Sequence, residues 1–271
     1  MNLIAEIGIN HNGDIDKCKK LISISKLAGF NYVKIQKRNP DKCVPEAQKS
    51  KIRNTPWGKI TYLDYKKRIE FNEEQIKELV EYSNDNNIEF FASVWDTDSV
   101  DVMSKYTNIG KIPSALITDL KLCSYARKNF DKLIISTGMS TEEEIVTCIN
   151  KCSPDVIMHS NSTYPCPPED LNLRYIEWLK SKNPDKEIGY SGHENGIVTT
   201  LATIPFGVKW IERHVTLDKN MWGSDQKASL DVQEMFNLVK NIKIIESACQ
   251  YKPQERIQFE KENEKKKSLR K

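Results

Sequence analysis

Glu187-Ile-Gly-Tyr-Ser-Gly-His193 and, a little further on, Val208-Lys-Trp-Ile-Glu-Arg-His214 are the stretches on which the fold of this chain turns. Each is a short apolar run of strand-forming residues that ends in polar side chains and a histidine, just upstream of Trp222-Gly-Ser-Asp225. As neighbouring parallel strands, the two runs would bring both imidazoles together with a carboxylate and a serine. Such a convergence points to an enzyme.

Working outward, comparable β-rich runs recur at Leu3–Ile9, Tyr32–Gln36, Glu89–Val94, Ile109–Pro113, Leu133–Ser136 and Val156–His159. With Glu187–Tyr190 and Val208–Glu212 they make eight. Segments of helical period lie between them, at Ile15–Ala28, Asn72–Asn86, Thr141–Lys151, Leu171–Lys180 and Asp231–Ala248. Asp14 and Asn72 stand where N-caps belong, and Ser140-Thr-Glu-Glu-Glu reads as a cap followed by an acidic first turn. Parallel strands need helical crossovers, and a right-handed succession of eight closes on itself, so the expected fold is α/β, a (β/α)8 TIM barrel. An open doubly wound sheet is the rival, but no glycine-rich dinucleotide fingerprint follows the first strand. The expected organisation is a barrel over residues 1–252, with a long loop at 38–70 after strand two, and a charged tail over 253–271. An insertion of that length at a strand's C-terminal end, with Pro40, Pro45, Pro56, an exposed-looking Trp57, Tyr62 and Tyr65, reads as a functional lid or binding loop. A partly ordered excursion beside the barrel is the plainer alternative.

The charge balance excludes some classes. Lys and Arg number 41 against 38 Asp and Glu, a formal +3, which is far from the concentrated basic charge of a nucleic-acid binder. No apolar run approaches the length needed to span a bilayer and the start does not read as a signal peptide, so a soluble, cytoplasmic protein is expected. Seven cysteines form no Cys-x-x-Cys pair, which favours reduced thiols; Cys148 and Cys152, four apart on a helix, are expected to pack.

In a barrel of this kind chemistry belongs at the C-terminal strand ends. The residues there are Glu6 and Asn10-His11-Asn12-Gly13, Lys34 and Gln36, Ser93, Lys111 and Ser114, Ser136, His159 to Tyr164, Ser191 and His193, and Glu212 and His214, a set that includes all four histidines. Lys34 and Lys111, with Ser114, Ser136 and Ser191, supply two cations and several hydroxyls suited to a phosphate and a carboxylate. His193 and His214 suit a divalent ion, with Glu6 and Asp225 near enough to add oxygens or orient water.

Ala5-Glu-Ile-Gly-Ile-Asn-His-Asn-Gly13, Val33-Lys34, Lys111-Ile-Pro-Ser114, Ser136-Thr-Gly-Met139, His159 to Pro165, Gly189-Tyr-Ser-Gly-His193 and Ile211-Glu-Arg-His214 together resemble the sialic acid (N-acetylneuraminate) synthase family, in the family's order and across nearly the whole barrel. The resemblance implies a transferase that condenses phosphoenolpyruvate with an N-acylated hexosamine to form a sialic or nonulosonic acid, releasing phosphate. It also implies His193 and His214 as ligands of Mn2+ or Mg2+, and Lys34, Lys111, Ser114, Ser136, Ser162 and Ser191 around phosphoenolpyruvate, while Ser93 is a further substrate-binding candidate. Glu6 falls where the carboxylate that handles the attacking water stands, and Tyr164, Glu212 and Asp225 on the sugar or metal side. A homo-oligomer is expected, with the family's antifreeze-like domain either dispensed with or supplied by another chain. Leu116 stands where a sugar-contacting glutamate is usual, and Trp222-Gly-Ser-Asp-Gln replaces Pro-Gly-Pro-Asp-His. The competing readings are another 3-deoxy-ulosonic acid synthase with a different aldose, a Schiff-base aldolase using Lys34 or Lys111, and a non-catalytic barrel that binds a sugar acid.

Overall fold

The computed structural model describes residues 1–250; the expected boundary near 252 and the charged tail at 253–271 lie outside the described residues. Ten strands occur in chain order: β1 (Asn2–Gly8), β2 (Tyr32–Lys37), β3 (Ile52–Thr55), β4 (Gly58–Thr61), β5 (Glu89–Val94), β6 (Ile109–Ile112), β7 (Lys132–Ser136), β8 (Val156–Ser160), β9 (Glu187–Gly192) and β10 (Trp210–His214). All but β3 and β4 close into one parallel barrel in the order β1-β10-β9-β8-β7-β6-β5-β2. These eight are the runs read from sequence, with ends moved by a residue or two.

Helices α1 (Ile15–Ala28), α2 (Pro40–Cys43), α3 (Glu46–Lys49), α4 (Tyr62–Ile69), α5 (Glu73–Asp85), α6 (Thr97–Met103), α7 (Leu120–Asn129), α8 (Glu142–Cys152), α9 (Tyr175–Lys182), α10 (Val198–Leu201) and α11 (Val232–Ala248) complete the described residues, apart from 3₁₀ turns. Asp14 caps α1 by accepting from the Lys17 N–H, and Asn72 with Gln75 forms a capping box on α5. On α8 the cap is Thr141, one residue later than Ser140, because Thr141 and Glu144 satisfy each other's backbone donors. No helix among the described residues is long and apolar enough to cross a membrane.

The two-residue period of the strands sorts the barrel interior into layers. Ile4, Phe91, Ile109, Ile134, Val156, Met158 and Trp210 fill its lower part as a closed apolar cluster. Gly189 is needed there: a Cβ would stand 2.8 Å from that of Trp210. Two residues further along the same inward faces stand Glu6, Lys34, Ser93, Lys111, Ser136, Ser160, Ser191 and Glu212, so the same alternation that plugs the barrel floor lifts the charged residues to its mouth. Outward-facing Ala5, Ile7, Val33, Ile35, Ile135, Ile157 and Ile211 join the helices in the main core.

Cys123, Cys148 and Cys152 lie within this outer core, with Cys148 Sγ 3.8 Å from each of the other two. All seven thiols are free. The packing role expected of Cys148 and Cys152 agrees with their burial.

The insertion is a folded cap. It comprises α2, α3, the antiparallel hairpin β3–β4 and α4, and it packs through a small core of its own, Ile9, Tyr65 and Ile69 with Trp57, Ile60, Tyr62 and Trp222 around them. Trp57, expected to be exposed, is half-buried edge-on to Trp222 at 5.8 Å, and Tyr65 meets the same indole at 5.2 Å. The loop after β10 thereby ties the insertion to the barrel mouth.

Candidate active site

A cavity of about 200 Å³ opens at the C-terminal strand ends. Every sequence-predicted site residue except Asp225 lines it: Glu6, Lys34, Ser93, Lys111, Ser114, Ser136, Ser162, Tyr164, Ser191, His193, Glu212 and His214. Trp95, Pro113, Ala115, Met139 and Ser160 complete the wall. Of these, Ser160 stands among the strand-end candidates of the sequence as part of His159 to Tyr164, and its inward parity is the one it shares with Met158; the other four carry no role there.

The floor of the cavity is a buried chain of alternating charge. Lys34 Nζ stands 2.6 Å from Glu6 Oε2, a charge contact outside hydrogen-bond alignment, and 3.6 Å from Glu212 Oε1. Lys111 Nζ donates to both oxygens of Glu212, at 2.7 and 2.8 Å. Ser93 Oγ accepts from Lys34 at 2.7 Å, and Ser191 Oγ donates to Glu212 at 3.1 Å. All four charged residues are at most 3% exposed. Burial pushes the Lys111 ammonium down to about 8, with Glu212 pulling back. Burial opposes ionisation of Glu212 as well, but Lys111 and Lys34 outweigh it and bring its carboxyl down to about 2. The quartet sets two lysine ammoniums against two glutamate carboxylates, so that its charges are matched in number.

Above the quartet the hydroxyls converge. Gly138 N–H donates to Ser114 Oγ at 3.0 Å, and a Cβ on Gly138 would lie 2.4 Å from Ser162 Oγ, so only glycine lets both serines approach. Ser136 Oγ and Ser160 Oγ are buried with no hydrogen-bond partner. An unmet buried hydroxyl costs roughly 1–3 kcal/mol, and two of them facing one cavity with two lysines mark a place for an oxygen-rich anion.

The imidazoles face each other across β9 and β10, ring centroids 5.4 Å apart. His193 Nδ1 lies 2.5 Å from the Asn161 carbonyl, which makes it the N–H donor and turns Nε2 into the acceptor for the Tyr164 hydroxyl at 2.8 Å. Burial, then the charge of His214, drives the His193 imidazole down to about 3, so it is neutral and ready as a ligand. His214 Nδ1 has no hydrogen-bond partner, and Asp225 Oδ2 stands 3.9 Å from it. Among the described residues no group of three His, Cys, Asp or Glu side chains is placed to hold a metal. The donors fit a two-imidazole site whose remaining positions are open to water or substrate, the arrangement of a catalytic rather than a structural ion.

The other two histidines are structural. His11 stacks on Phe71 at 4.2 Å and its Nδ1 accepts from the Gly13 N–H; burial lowers it to about 3. His159, on the outward face of β8, bonds the Leu171 carbonyl at 2.7 Å. The Asn10–Gly13 stretch works as a staple: Asn10 Nδ2 donates to the Val215 carbonyl and Ser229 Oγ, and Asn12 Nδ2 to the Trp222 carbonyl. It holds the 215–229 segment, and with it Asp225, beside His214. Leu116 packs against the main core and does not line the cavity; Ala115 does.

A parallel barrel whose mouth combines two buried lysines, unpartnered serines and a pair of facing imidazoles defines a class, enzymes that act on small anionic substrates at the ends of barrel strands. The chain matches the NeuB family over residues 21–254 and belongs to it. It is 36% identical over 256 residues to N-acetylneuraminate-9-phosphate synthase of Mus musculus, covering 91% of this chain and 70% of that one. It is equally similar, at 36%, to N,N'-diacetyllegionaminic acid synthase of Campylobacter jejuni, covering 91% and 76%. Among solved structures, the sialic acid synthetase of Leptospira borgpetersenii superposes with a TM-score of 0.86 at 28% identity, over 98% of this chain and 90% of that one.

Proposed function

We propose that this chain is a transferase that condenses phosphoenolpyruvate with the open-chain form of an N-acylated hexosamine, giving a sialic or other nonulosonic acid and inorganic phosphate. One observation carries the reading: Lys34, Lys111 and the unpartnered hydroxyls of Ser136 and Ser160 face one cavity with the His193–His214 pair. Membership of the NeuB family, with relatives named for N-acetylneuraminate 9-phosphate and diacetyllegionaminic acid, supports it.

Phosphoenolpyruvate enters a site whose cations are already spent on carboxylates. Its phosphate and carboxylate take over Lys34 and Lys111, with Ser93, Ser114, Ser136, Ser162 and Ser191 as donors around them, and so release Glu6 and Glu212 from their ion pairs. That exchange leaves Glu6 and Glu212 in need of a new partner, a proton or further positive charge, because an unpaired buried charge would cost several kcal/mol, of order 3–5. His193 and His214 would hold a divalent ion, Mn2+ or Mg2+, which when bound supplies positive charge to polarise the sugar's carbonyl oxygen. Tyr164, whose hydroxyl bonds His193 Nε2, would have to give up that bond for His193 to serve as a ligand, and Asp225 stands 3.9 Å from His214 Nδ1.

The C3 carbon of phosphoenolpyruvate then forms a bond to the sugar's C1, and the carbonyl oxygen takes a proton. The cation that develops at C2 accepts water, whose proton passes to Glu6. The C2–O bond to phosphate breaks as the C2 hydroxyl becomes the ketone and passes its proton to the departing phosphate, and the two lysines, fixed before the step, hold the leaving charge.

The test is phosphate release from phosphoenolpyruvate with Mn2+ across N-acetylmannosamine, its 6-phosphate, diacetamido hexoses and plain aldoses, with mass detection of the adduct. The reading expects release that depends on an N-acylated hexosamine; release with a plain aldose alone would make the chain a different ulosonic acid synthase, and none with any sugar would overturn condensation. The lowered Lys111 is the one feature that favours a Schiff-base aldolase, and borohydride inactivation in the presence of substrate would establish it.

A further inference from the structure

A second cavity, of about 650 Å³, lies between the insertion and the loop after β10, bounded by Arg53, Asn54, Tyr62, Tyr65, Lys66 and Trp222 with the Gly223–Ser224 segment. No acidic side chain lines it. Lys66 is 8% exposed, yet no carboxylate among the described residues is within ion-pair distance of its ammonium, which lies 5.4 Å from the Tyr62 ring centre and 5.3 Å from that of Tyr65. Arg53 stacks over the Tyr62 ring, its Cζ 4.4 Å from the ring centre, and among the described residues it is likewise without an ion pair. The neighbouring acids are committed: Glu70 to Arg38 at 2.8 Å, and Asp225 to the Ser224 hydroxyl at 2.6 Å and to the vicinity of His214. Burial lowers the Lys66 ammonium to about 8, with Arg38 adding to the effect and Asp225 opposing it.

This is the reverse of the central cavity, where each lysine already has a carboxylate. A buried lysine and an arginine left uncompensated, on aromatic walls and beside an amide, form a receptor for a dianion. Its position says which dianion. The loop 221–225 forms a wall of this cavity at Trp222 and reaches His214 through Asp225, 3.9 Å away. Asp225 stands beside His214 and is close enough to Lys66 to act on its charge, so one loop residue links the central cavity to the second one.

We propose that this cavity seats a phosphate monoester on the terminal carbon of the acceptor, with Lys66 and Arg53 as its ligands, so that the chain selects a phosphorylated N-acylated hexosamine over the free sugar. The proposal rests on the condensation reading for the sugar's orientation.

The experiment pairs kinetics with binding, using N-acetylmannosamine and its 6-phosphate on the wild type, Lys66→Met and Arg53→Gln. Loss of one charge-assisted contact corresponds to about 10-fold or more. The expected result is a KM for the 6-phosphate about tenfold higher in each variant, against less than about twofold for the free sugar and for phosphoenolpyruvate. Calorimetric titration of the 6-phosphate without phosphoenolpyruvate should show the same loss. Equal changes for both sugars, or a wild type that binds and turns over the free sugar as well as the phosphate, would overturn the proposal. The two readings part cleanly: product from the free sugar alone leaves condensation standing and removes the phosphate seat, whereas Lys66-dependent binding of the 6-phosphate without turnover does the opposite. Arg53→Gln, at an exposed position, serves as the folding-neutral control for the buried Lys66 variant.

Discussion

Strand β10 carries buried charge on both faces, and the two faces are built differently. Outward, Arg213 is fully buried and donates to the Glu194 carbonyl and carboxylate, the Gly196 carbonyl and Thr200 Oγ1, leaving only Nε unmet. Tyr190 and Thr200 complete Glu194. Inward, one residue away along the chain, Glu212 and His214 stand in a set that is neutral but incomplete, with His214 Nδ1, Ser136 Oγ and Ser160 Oγ unmet. A closed network has no further partner to accept and serves the fold; an open one keeps its capacity for a ligand. Satisfaction of hydrogen bonds, more than burial or charge, separates a structural cluster from a site here.

The comparison can be broken most sharply by paired substitutions on adjacent residues. His214→Ala is expected to abolish product formation and weaken Mn2+ binding, with the thermal midpoint nearly unchanged; an inactive variant that binds Mn2+ like the wild type would remove the ligand role. Arg213→Met should do the reverse, lowering stability by about 3–5 kcal/mol by stranding the buried Glu194 carboxylate, while folded protein retains its KM for phosphoenolpyruvate. Urea unfolding with parallel kinetics reads both, and a stable Arg213→Met protein that lost activity would place Arg213 on the functional side.

Lys111 sharpens the contrast through pH. Its ammonium titrates near 8 in the folded chain against about 10.4 for a free lysine. The folded state therefore gives up this proton first. The stability contribution of the group is complete above about 10.4 and is lost as pH falls through about 8, whereas capture of an anion needs the charged form and weakens as pH rises through 8. We expect kcat/KM for phosphoenolpyruvate to fall above pH 8, and Lys111→Arg, which stays charged, to shift that limb upward. A flat profile from pH 7 to 10 would deny Lys111 a role as a phosphate or carboxylate cation. The smallest effect is expected at Cys152→Ser, whose thiol packs in the outer core: a modest loss of stability, with kinetics unchanged.

Much of this arrangement was legible in the sequence because a barrel is a strict alternation. Once Leu3–Ile9 or Glu89–Val94 is read as a strand, parity alone sends Glu6 and Ser93 to the interior and Ala5 and Ala92 to the helices. The same parity separates Ser160 from His159, although a histidine at a strand end is easily taken for a functional one. The loops escaped the reading, since no period governs them. Asp225 and Trp57 take their places from the Asn10–Gly13 staple and from the Trp57–Trp222–Tyr65 contact, which are tertiary. Helices α6 and α7 follow from the strand–helix alternation, but their bounds are faint in the sequence: both are short, and Leu120, Leu122, Cys123 and Ala126 make a broken apolar stripe. The start of α9 moves from Leu171 to Tyr175 because Leu171 and Leu173 belong to a turn after Pro167-Pro168.

The central claim is that water attacks carbon, at C2, in a cavity whose lysines hold a departing phosphate. Phosphoenolpyruvate labelled with 18O at its bridging oxygen tests it most directly, by the mass of the phosphate released with the preferred acceptor sugar. The account predicts that the label leaves with the phosphate, because the C2–O bond breaks. Unlabelled phosphate would mean attack at phosphorus and would contradict the roles given to Glu6, Lys34 and Lys111.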